Sequence, residues 1–494
     1  MLSSATRPDI ITLPSGLTIS RILVGLWQVA DMERDDRTLD LDRAADALAD
    51  YARAGFSTFD MADHYGSAEL ITNRCLKQLA AEGQSPPVVF SKWVPEPGPM
   101  TPQIVRTAVE ERLARLGVDR IDVLQLHWWC YSHPAYLDAI SELDKLRRSG
   151  LIGHLGLTNF DTAHLRVIVK SGIPIAFNQV CMSLLDRRAA GQMSAFCLAN
   201  DIRILAFGTL GGGLFSRHWL DRSEPAAADI TDWSKMKYKR FVDATGGWAA
   251  FQEVLRALDT IARKHNVSIA NVATRWVLEH PAVAAVIIGA RLGESEHRAD
   301  NLRLFSFALD PADKAVIDAA LAISTPVPGD CGDEYRKPPY LTASGDLSHH
   351  LSQMPKIYQA VPVPGRRGRL LVDTASVWEP LAGYSRAVRN GNRILVSGTT
   401  ATHGAGTIVA KGDPAAQTTY ILDKIEASIE ALGGKLEDVV RTRIYVRDKQ
   451  MWEDVARAHG RAFGGIRPAN TLIECSGLIG DYDVEIEAEA EVDA

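Results

Sequence analysis

Between residues 20 and 305, eight short apolar runs alternate with longer amphipathic segments, and this alternation constrains the fold more than any other feature. The intervening segments carry apolar residues at helical spacing, as in residues 41–55 and 101–117, and several end in glycine. Buried strands that alternate with helices indicate a parallel sheet. Eight such units favour a closed (β/α)8 barrel over an open doubly wound sheet. The predicted strands are residues 21–25, 56–62, 88–93, 121–127, 151–157, 175–180, 202–207 and 284–289.

Two segments of the predicted barrel are less regular. Residues 9–20 surround Ser15-Gly16, which predicts a β-hairpin that plugs the bottom of the barrel. The segment from Gly208 to Gly247 is rich in glycine and then polar, and it is too long for a plain connection. Loops of this kind in compact domains are usually functional lids or disordered. We therefore expect a lid or a disordered loop over the barrel.

A change of pattern near residue 322 indicates a second domain. Residues 322–358 combine Pro, Gly, Ser and charged residues without periodicity, which is typical of a tail and linker. The following residues predict a β-α-β-α-β order, an α+β domain with two helices on one face of its sheet. Its predicted elements are residues 394–400, 415–434, 439–448, 451–465 and 483–492. The predicted domain boundaries are 1–330 for the barrel, 331–357 for the linker and 358–494 for the second domain.

Composition excludes several classes of partner. The net charge of -7 offers no electrostatic reason to bind nucleic acid or an anionic membrane. No apolar run is long enough to span a bilayer, and the first residues lack the pattern of a secretory signal. The six cysteines are scattered without ligand spacing, which predicts neither a metal site nor a disulfide framework. We expect a cytoplasmic protein.

Four polar residues fall at the carboxyl ends of successive predicted strands, where active sites of such barrels lie: Asp60, Tyr65, Lys92 and His127. A free phenol, with a pKa of about 10, is a weak acid at neutral pH. A neighbouring ammonium lowers that pKa, and Asp60 keeps Lys92 charged and oriented. His127 is suited to donate to a carbonyl oxygen as negative charge develops on it. Any one of these residues alone is often structural, but four together indicate a proton-transfer site.

The motifs around these residues resemble those of the aldo-keto reductase family. FDMADHYGSAE (59–69) is similar to the segment that holds the family's catalytic Asp and Tyr, VVFSKW (88–93) to its lysine strand and LQLHWW (124–129) to its histidine strand. The resemblance implies that Asp60, Tyr65, Lys92 and His127 form the catalytic tetrad. It also implies reversible hydride transfer between a nicotinamide and a carbonyl, a secondary alcohol or a sugar lactol, in which Tyr65 exchanges the proton.

The same resemblance continues along the segments that hold the cofactor. GLTNF (156–160) and NQV (178–180) resemble the carboxamide-binding segments, LAFGTLGGGL (205–214) the segment whose aromatic ring stacks on the nicotinamide, and IIGARLGESEHRADN (287–301) the adenosine-phosphate segment. An arginine pairs well with a 2′-phosphate, so NADP(H) is favoured and NAD(H) stays open. Arg298 has an alternative role as a surface charge. The implied cofactor-binding residues are Thr158, Asn159, Gln179, Phe207, Gly208, Leu210, Gly211, Arg291, Arg298 and Asn301.

Several tryptophans lie near the ends of the predicted strands. Trp27, Trp93 and Trp128 are candidates for an apolar substrate pocket, although core packing explains such residues equally well. Because neighbours on a strand point to opposite faces, one of Trp128 and Trp129 must face away from the pocket if the strand extends that far.

Residues 358–494 resemble the RidA/YjgF family of imine deaminases, in the motifs YSRAVRNGNRILVSG, LGGKLEDVVRTRIYVRD and VEIEAEA. The resemblance implies a chorismate-mutase-like α+β fold, a homotrimer and a cleft with Tyr384, Ser397 and Glu485. The family's carboxylate-binding arginine is replaced by Asn470, which cannot form the two-pronged charged pair. Arg467 is a possible substitute, although strand alternation argues against it.

Three functions remain open at this stage. The first is an NADP(H)-dependent oxidoreductase that its second domain trimerises. In the second, the barrel is a cofactor-binding regulatory module, which the complete tetrad argues against. In the third, the chain is bifunctional, and the second domain binds or processes an imine or enamine that the barrel releases. All three imply a small-molecule ligand, with no nucleic acid and no membrane.

Overall fold

The computed structural model describes residues 7–30, 39–336, 350–374 and 376–493. It begins with the hairpin that the sequence predicts, β1 (Ile10–Thr12) and β2 (Thr18–Ser20), turning at Gly16 with φ of +84°. Leu13 and Ile19 of this hairpin are buried among the apolar side chains at the bottom of the barrel interior. The hairpin therefore closes that end, as expected.

Eight parallel strands form a closed barrel in which each strand pairs with the next along the chain and the last pairs with the first. This confirms the predicted (β/α)8 architecture. Every predicted strand is present, and its observed ends lie within two residues of the predicted ones. The strands are β3 (Ile22–Gly25), β4 (Thr58–Asp60), β5 (Val88–Trp93), β6 (Ile121–His127), β7 (Ile152–Thr158), β8 (Phe177–Cys181), β9 (Arg203–Phe207) and β10 (Val283–Gly289).

The helices outside the barrel begin where short polar side chains accept the first free backbone N–H groups. Asp40, Thr101 and Ser268 are examples of these caps. The barrel helices are α1 (Leu41–Arg53), α2 (Ala68–Ala81), α3 (Pro102–Leu116), α4 (Ala135–Arg148), α5 (Thr162–Lys170), α6 (Gln192–Ala199), α7 (Trp233–Ala244), α8 (Gly247–His265), α9 (Ile269–Leu278), α10 (Arg298–Leu302) and α11 (Pro311–Leu321).

The long segment from residue 208 to 247 is a folded lid. Its first part forms a tight turn at Gly211–Gly213, and α7 packs against that turn. A Cβ at Gly212 would lie 2.8 Å from the carbonyl of Ser234, so only glycine permits this close approach. Phe241 and Val242 of α7 are buried against α8, which anchors the lid to the barrel wall.

The second domain contains more strands than the sequence predicts. Its main sheet has seven strands, whereas three strands were predicted. The missed strands are short or solvent-exposed along both faces, so no apolar alternation marks them. The elements are α12 (His350–Gln353), β11 (Ala360–Pro362), β12 (Arg369–Val372), α13 (Trp378–Ala382), β13 (Ala387–Asn390), β14 (Arg393–Thr400), β15 (Thr402–His403), β16 (Thr407–Ile408), α14 (Pro414–Ala431), β17 (Val439–Val446), α15 (Trp452–Phe463), β18 (Ala469–Glu474) and β19 (Val484–Glu491). The strand order in the seven-stranded sheet is β11-β12-β13-β14-β19-β17-β18.

The two predicted helices, α14 and α15, cover one face of this sheet as expected. The other side of α14 packs on α5 of the barrel, so α14 is buried on nearly all sides. Strand β19 alternates strictly, with Ile486, Ala488 and Ala490 facing the helices and the glutamates between them on the open face. The barrel therefore docks on the helical side and leaves the opposite sheet face uncovered.

The predicted linker is partly ordered against the barrel. Residues 331–336 fold back onto it, and Arg188 binds Glu334 at 2.6 Å there. Residues 337–349 lie outside the described part of the chain. All six cysteines are free, and the described residues contain no cluster of three His, Cys, Asp or Glu side chains with metal-binding geometry. Within the same residues, no helix combines the length and apolar character needed to cross a membrane.

Candidate active site

The four predicted catalytic residues meet at the carboxyl end of the barrel. Asp60 and His127 are the last residues of β4 and β6, Lys92 is the penultimate residue of β5, and Tyr65 lies in the loop before α2. The Lys92 Nζ donates to Asp60 Oδ2 at 2.7 Å and to the Met61 carbonyl at 2.9 Å. It lies 5.0 Å from the centroid of the Tyr65 ring. A buried ion pair thus presents its cation to a phenol.

The Asp60 carboxylate is held from its other side by two amides. Gln179 Nε2 donates to Asp60 Oδ1 at 2.8 Å, and Gln125 Nε2 does so at 3.3 Å. Sequence reasoning missed Gln125, although its spacing from His127 on β6 places both on the inner face of the barrel. The amides satisfy the oxygen that Lys92 leaves free, as a carboxylate inside a barrel requires.

The electrostatics of Tyr65 and Lys92 differ from the simplest expectation. Desolvation raises the pKa of Tyr65 above that of a free phenol, and the Lys92 ammonium opposes this rise without cancelling it. Burial lowers the pKa of Lys92, but Asp60 and Tyr65 raise it more, so the amine stays protonated. Lys92 lowers the phenol's pKa as predicted, but burial has the larger effect. The pair therefore presents a protonated phenol at neutral pH.

His127 is a neutral imidazole in this setting. Burial lowers its pKa well below the usual value, and the nearby Arg336, His64 and Lys237 lower it further. Its ring lies 4.4 Å from that of Trp129 and 5.4 Å from that of Tyr335, centroid to centroid. Its Nε2 is 3.5 Å from Asn159 Nδ2. An uncharged ring held between aromatic neighbours is suited to orient a carbonyl.

A cavity of about 580 Å³ opens above these residues. It runs from the tetrad past the lid to the segment after β10, and a volume of this size is typical of small-molecule sites. The predicted residues that line it are Trp27, Asp60, Tyr65, Lys92, His127, Thr158, Asn159, Gln179, Phe207, Gly208, Leu210 and Arg291. Gly211 lies in the same turn but outside the lining.

The residues present fit a nicotinamide dinucleotide. Among the described residues, Thr158 Oγ1, Asn159 Oδ1 and Thr209 Oγ1 are buried polar atoms without a hydrogen-bond partner, and all three residues line the cavity. Buried polar atoms normally have partners, so these oxygens are suited to a ligand that brings N–H or O–H donors. A carboxamide offers such donors next to the tetrad, and Phe207 supplies an apolar ring face at the same end.

Two of the three tryptophans do not face this cavity. Trp93 follows Lys92 and Trp128 follows His127, and because strand neighbours alternate, both indoles point outward. Trp93 lines a separate cavity of about 590 Å³ under residues 94–100. Trp128 Nε1 donates to the carbonyls of Cys130 and His133 at 2.6 and 3.1 Å. Trp27 remains in the cavity, where its ring centroid lies 5.1 Å from that of Tyr65.

Of the three cofactor-binding residues predicted in the segment after β10, one lines the cavity and two do not. Arg291 lines the cavity and binds Asp232 at 2.5 Å, which ties this segment to the lid. Arg298 instead binds Glu296 at 2.8 Å and lies over the Tyr51 ring, and Asn301 is on α10, outside the lining. Arg298 and Asn301 therefore lie outside the cavity.

Sequence reasoning also missed residues that reach the cavity from distant parts of the chain. Tyr335 lies beyond the predicted barrel boundary, and Lys237, on the lid, contacts its hydroxyl. Lys237 Nζ is also 5.3 Å from the centroid of the Phe207 ring. No periodicity or motif marks either residue, because both reach the site through chain folding alone. His64 and Gln28 also line the cavity. His64 could have been found from the sequence, because it lies within the motif FDMADHYGSAE (59–69).

The structure brings together three of the four predicted cleft residues of the second domain. Arg386 Nη2 lies 3.4 Å from the Tyr384 hydroxyl, and its Nη1 donates to the Ser397 carbonyl at 3.4 Å. A Cβ on Gly398 would lie 2.1 Å from Glu485 Oε1, so this carboxylate packs directly on the same part of β14. We call these residues the Arg386 cluster: Tyr384, Arg386, Ser397, Gly398 and Glu485.

Asn470 lies apart from the Arg386 cluster. It is on the edge strand β18, where its side chain donates to Thr442 Oγ1 at 2.9 Å, and Thr442 in turn contacts His459 of α15. These contacts place the Asn470 side chain on the helical side of the sheet. Glu485, which is in register with Tyr445, lies on the open side. Arg467 precedes β18 with φ of +58°.

The family comparison agrees with this geometry. The family model described as "Aldo/keto reductase family" matches residues 21–322, well over half of the chain. The chain belongs to the aldo/keto reductase family. A second family model, described as "Endoribonuclease L-PSP", matches residues 374–492 of this aldo/keto reductase and confirms the RidA/YjgF resemblance of its second domain.

Known proteins resemble the two parts of this aldo/keto reductase separately. The NADH-specific methylglyoxal reductase of Escherichia coli is 24% identical over 329 residues, 61% of this chain and 94% of that protein. A RutC family protein of Pyrococcus horikoshii is 31% identical over 118 residues, 24% of this chain and 94% of that protein. The solved structure of a glycerol dehydrogenase from Gluconobacter oxydans shares the barrel fold, with 23% identity, a TM-score of 0.53 and coverage of 65% of this chain and 98% of that chain.

Proposed function

We propose that this chain is an NADP(H)-dependent oxidoreductase that transfers hydride reversibly between a nicotinamide and the carbonyl or secondary alcohol of a small molecule, a sugar lactol included. The observation that carries the proposal is the buried Lys92 ammonium, bonded to Asp60 at 2.7 Å and 5.0 Å from the centroid of the Tyr65 ring. The orphaned oxygens of Thr158 and Asn159 beside it support a bound carboxamide.

In this mechanism the cofactor, when bound, supplies or accepts the hydride. The Tyr65 phenol gives its proton to the carbonyl oxygen during reduction, and its raised pKa keeps it protonated for that step. In the reverse direction the Lys92 ammonium favours the phenolate that removes the alcohol proton. Neutral His127 orients the carbonyl oxygen, and Asp60 keeps Lys92 charged and in place.

The preference for NADP(H) rests on Arg291. Its guanidinium lines the cavity beside Ser295 and His297, and arginine pairs with a phosphate through two parallel hydrogen bonds. Its present partner, Asp232, is half-buried at the same place and is exchangeable for a phosphate on binding. The Escherichia coli relative is NADH-specific, so NAD(H) is the competing cofactor that an experiment must exclude.

The test uses the full chain with methylglyoxal and a panel of small aldehydes, ketones and secondary alcohols, and follows nicotinamide absorbance. We expect turnover with at least one carbonyl and a lower KM for NADPH than for NADH. Arg291→Ala should raise the KM for NADPH about tenfold, since a hydrogen bond to a charged group contributes roughly 1.5–3 kcal/mol, and should leave NADH nearly unaffected. No turnover across the panel contradicts the proposed oxidoreductase activity. A lower KM for NADH than for NADPH contradicts the proposed preference for NADP(H).

We propose that residues 358–494 form a trimerisation domain. The open face of the second domain's sheet supports this role, because it exposes Leu395 and Ile473 to 44% and 48% next to the rows of Glu and Arg side chains on β17 and β19. Docking of the barrel on the helical side leaves this face accessible. Sedimentation equilibrium should give a mass three times that of the chain, and Leu395→Glu should lower it. A monomeric wild-type chain contradicts the proposal.

A second candidate function is imine or enamine processing by the Arg386 cluster. The proximity of Tyr384, Ser397 and Glu485 favours it, and the separation of Asn470 weakens it. Incubating the full chain with amino alcohols and oxidised cofactor should then release ammonia, and the Glu485→Gln variant should release less. Equal ammonia from both proteins, or none from either, removes this candidate and leaves the domain with its assembly role.

A further inference from the structure

The barrel and the second domain meet at a cluster of four ionisable side chains, three of which are buried. His164, on α5, lies between two carboxylates, with its Nδ1 2.8 Å from Asp161 Oδ1 and its Nε2 3.1 Å from Asp423 Oδ2. Arg461 Nη1 contacts Asp161 Oδ2 at 3.2 Å. Asp423 is on α14 and Arg461 is on α15, so the second domain contributes one half of the cluster. We call these four residues the interface cluster.

The interface cluster is charge-balanced, and each member depends on the others. Burial lowers the pKa of His164, but Asp161 and Asp423 raise it more, so the net shift favours the imidazolium. Burial raises the pKa of Asp161, but Arg461 and His164 lower it well below its usual value. The cluster therefore pairs two carboxylates with two basic side chains; Asp161, His164 and Asp423 are buried, and Arg461 keeps 37% of its side chain exposed. Removing one partner from such a set leaves a buried charge uncompensated, which is costly.

A short path connects this cluster to the cofactor side of the barrel. The Tyr131 ring stacks on the His164 ring at 3.4 Å between centroids, and its hydroxyl accepts from the Asp161 backbone N–H at 3.2 Å. On the other side of Tyr131, the Arg336 guanidinium lies 4.3 Å from the ring centroid and donates to the Asn159 carbonyl at 2.6 Å. All of these side chains are largely removed from solvent.

Asn159 at the end of this path has a strained backbone. Its φ of +57° lies in the left-handed region, and its N–H donates to the Gln179 carbonyl at 2.8 Å. Such a conformation persists only where its surroundings hold it. Gly332 packs closely against the same peptide, since a Cβ at Gly332 would lie 2.1 Å from the Asn159 carbonyl oxygen. Contacts from two parts of the chain, Gln179 and the segment 331–336, thus hold the residue whose Oδ1 lacks a partner.

We propose that the second domain completes the cofactor site of the barrel, with Asp423 and Arg461 acting as positioning residues that hold Asn159 through Asp161, His164 and Tyr131. The inference rests on the proposed function, because it assigns to Asn159 a contact with the nicotinamide carboxamide. It gives the fusion of the two domains a role in the barrel's own chemistry.

The experiment compares two substitutions at the same interface in the full-length protein. Asp423→Ala removes a member of the interface cluster. Arg166→Gln is the matched control, because Arg166 binds Asp413 across the same interface at 2.9 Å without touching Asp161 or His164. The dissociation constants of NADP⁺ and of its 3-acetylpyridine analogue, which lacks the carboxamide N–H donors, are measured by quenching of tryptophan fluorescence.

We expect Asp423→Ala to weaken NADP⁺ binding about tenfold, within the range of coupling between linked sites, and Arg166→Gln to change it less than twofold. The loss in Asp423→Ala should shrink with the acetylpyridine analogue, because the carboxamide contact is already missing. Asp423→Asn, which keeps a hydrogen-bond acceptor for His164, should recover part of the affinity. That partial recovery distinguishes positioning from a general loss of structure.

Unchanged NADP⁺ binding in Asp423→Ala overturns the inference. An equal loss of affinity for NADP⁺ and its analogue also overturns it, and so does an equal loss in Asp423→Ala and Arg166→Gln. Either of these results means that the substitution acts only by weakening the contact between the two domains. If Asp423→Ala does not fold, Arg461→Gln removes the contribution from α15, and the same comparison decides. A wild-type chain that binds neither dinucleotide overturns the proposed function and this inference with it. A wild-type chain that binds while Asp423→Ala binds equally well overturns the inference alone.

Discussion

The barrel cavity and the Arg386 cluster each combine a tyrosine, a carboxylate and a cation, but the cations have different partners. In the barrel, the Lys92 ammonium donates to the Asp60 carboxylate and faces the Tyr65 ring. In the second domain, Arg386 donates to the Gly398 carbonyl at 2.6 Å and to Thr399 Oγ1 at 2.9 Å. These groups lie where the pairing of β14 with β19 shifts register.

The difference shows why residue types alone do not define a site. Arg386 stabilises a strand irregularity, because its donors satisfy backbone and hydroxyl oxygens that the bulge leaves unpaired. Lys92 has one backbone acceptor, and the rest of its charge acts on Asp60 and Tyr65. The Lys92 ammonium of the barrel can therefore change the acidity of a neighbouring group. The Arg386 guanidinium of the second domain instead stabilises the bulge in β14.

The largest effect expected from this comparison is on turnover at Tyr65. Tyr65→Phe should lower kcat by about 10²–10⁴-fold, the range for loss of a general acid, and should leave cofactor affinity within about twofold. Tyr384→Phe, the corresponding change in the Arg386 cluster, should leave reductase turnover unchanged. Steady-state kinetics and a fluorescence titration of cofactor check both variants. A Tyr65→Phe protein with a tenth or more of the wild-type kcat contradicts the assignment.

The next effect separates catalysis from stability. Lys92→Met leaves Asp60 buried and unpaired, which should lower the free energy of unfolding of the barrel by about 3–5 kcal/mol as well as abolish turnover. Arg386→Met should destabilise the second domain, because it leaves the Gly398 carbonyl and Glu379 without their cation, but reductase turnover should persist. Urea unfolding and kinetics are measured on both proteins. Loss of turnover in Arg386→Met without loss of structure reverses the comparison.

A smaller effect concerns the stability of the interface between the two domains. The pKa of folded His164 is raised, so the stability it contributes is fully present below its unfolded pKa of about 6.5 and is lost as pH rises through the folded value. The titratable and charged groups around it are Asp161, Asp423, Arg461, Tyr131 and Tyr136. The melting temperature should fall as pH rises above neutral, and His164→Gln should flatten that dependence. An identical slope in both proteins contradicts the role of His164.

The smallest effect is an absence of pH dependence in the rate of reduction. The raised pKa of Tyr65 keeps its phenol protonated up to at least its ordinary value of about 10, and the lowered pKa of His127 keeps its imidazole neutral above about 6.5. The kcat/KM for reduction should therefore be constant between about pH 7 and 9. A break inside this range assigns proton transfer to another group.

Features that depend on local sequence were predictable before the structure. The eight barrel strands follow from apolar runs and the intervening helices from their period, since burial selects for these patterns over short distances. The convergence of Asp60, Tyr65, Lys92 and His127 was predictable because they lie in three motifs at the ends of successive strands. The four strands missed in the seven-stranded sheet of the second domain have no such pattern: β18 is exposed along most of its length and exists because β17 pairs with it.

The sequence by itself determined the barrel, the two-domain order and which four polar side chains meet at the mouth of the barrel, because periodicity and motifs are properties of contiguous residues. Only the tertiary structure decided which way Trp93 and Trp128 point, that Asn470 lies on the face opposite Glu485, and that Arg386 binds a bulge. It also decided that Tyr335 lines the cavity and that Asp423 reaches His164 from 259 positions away. These contacts join residues far apart in the chain, and only the packing of whole elements brings them together.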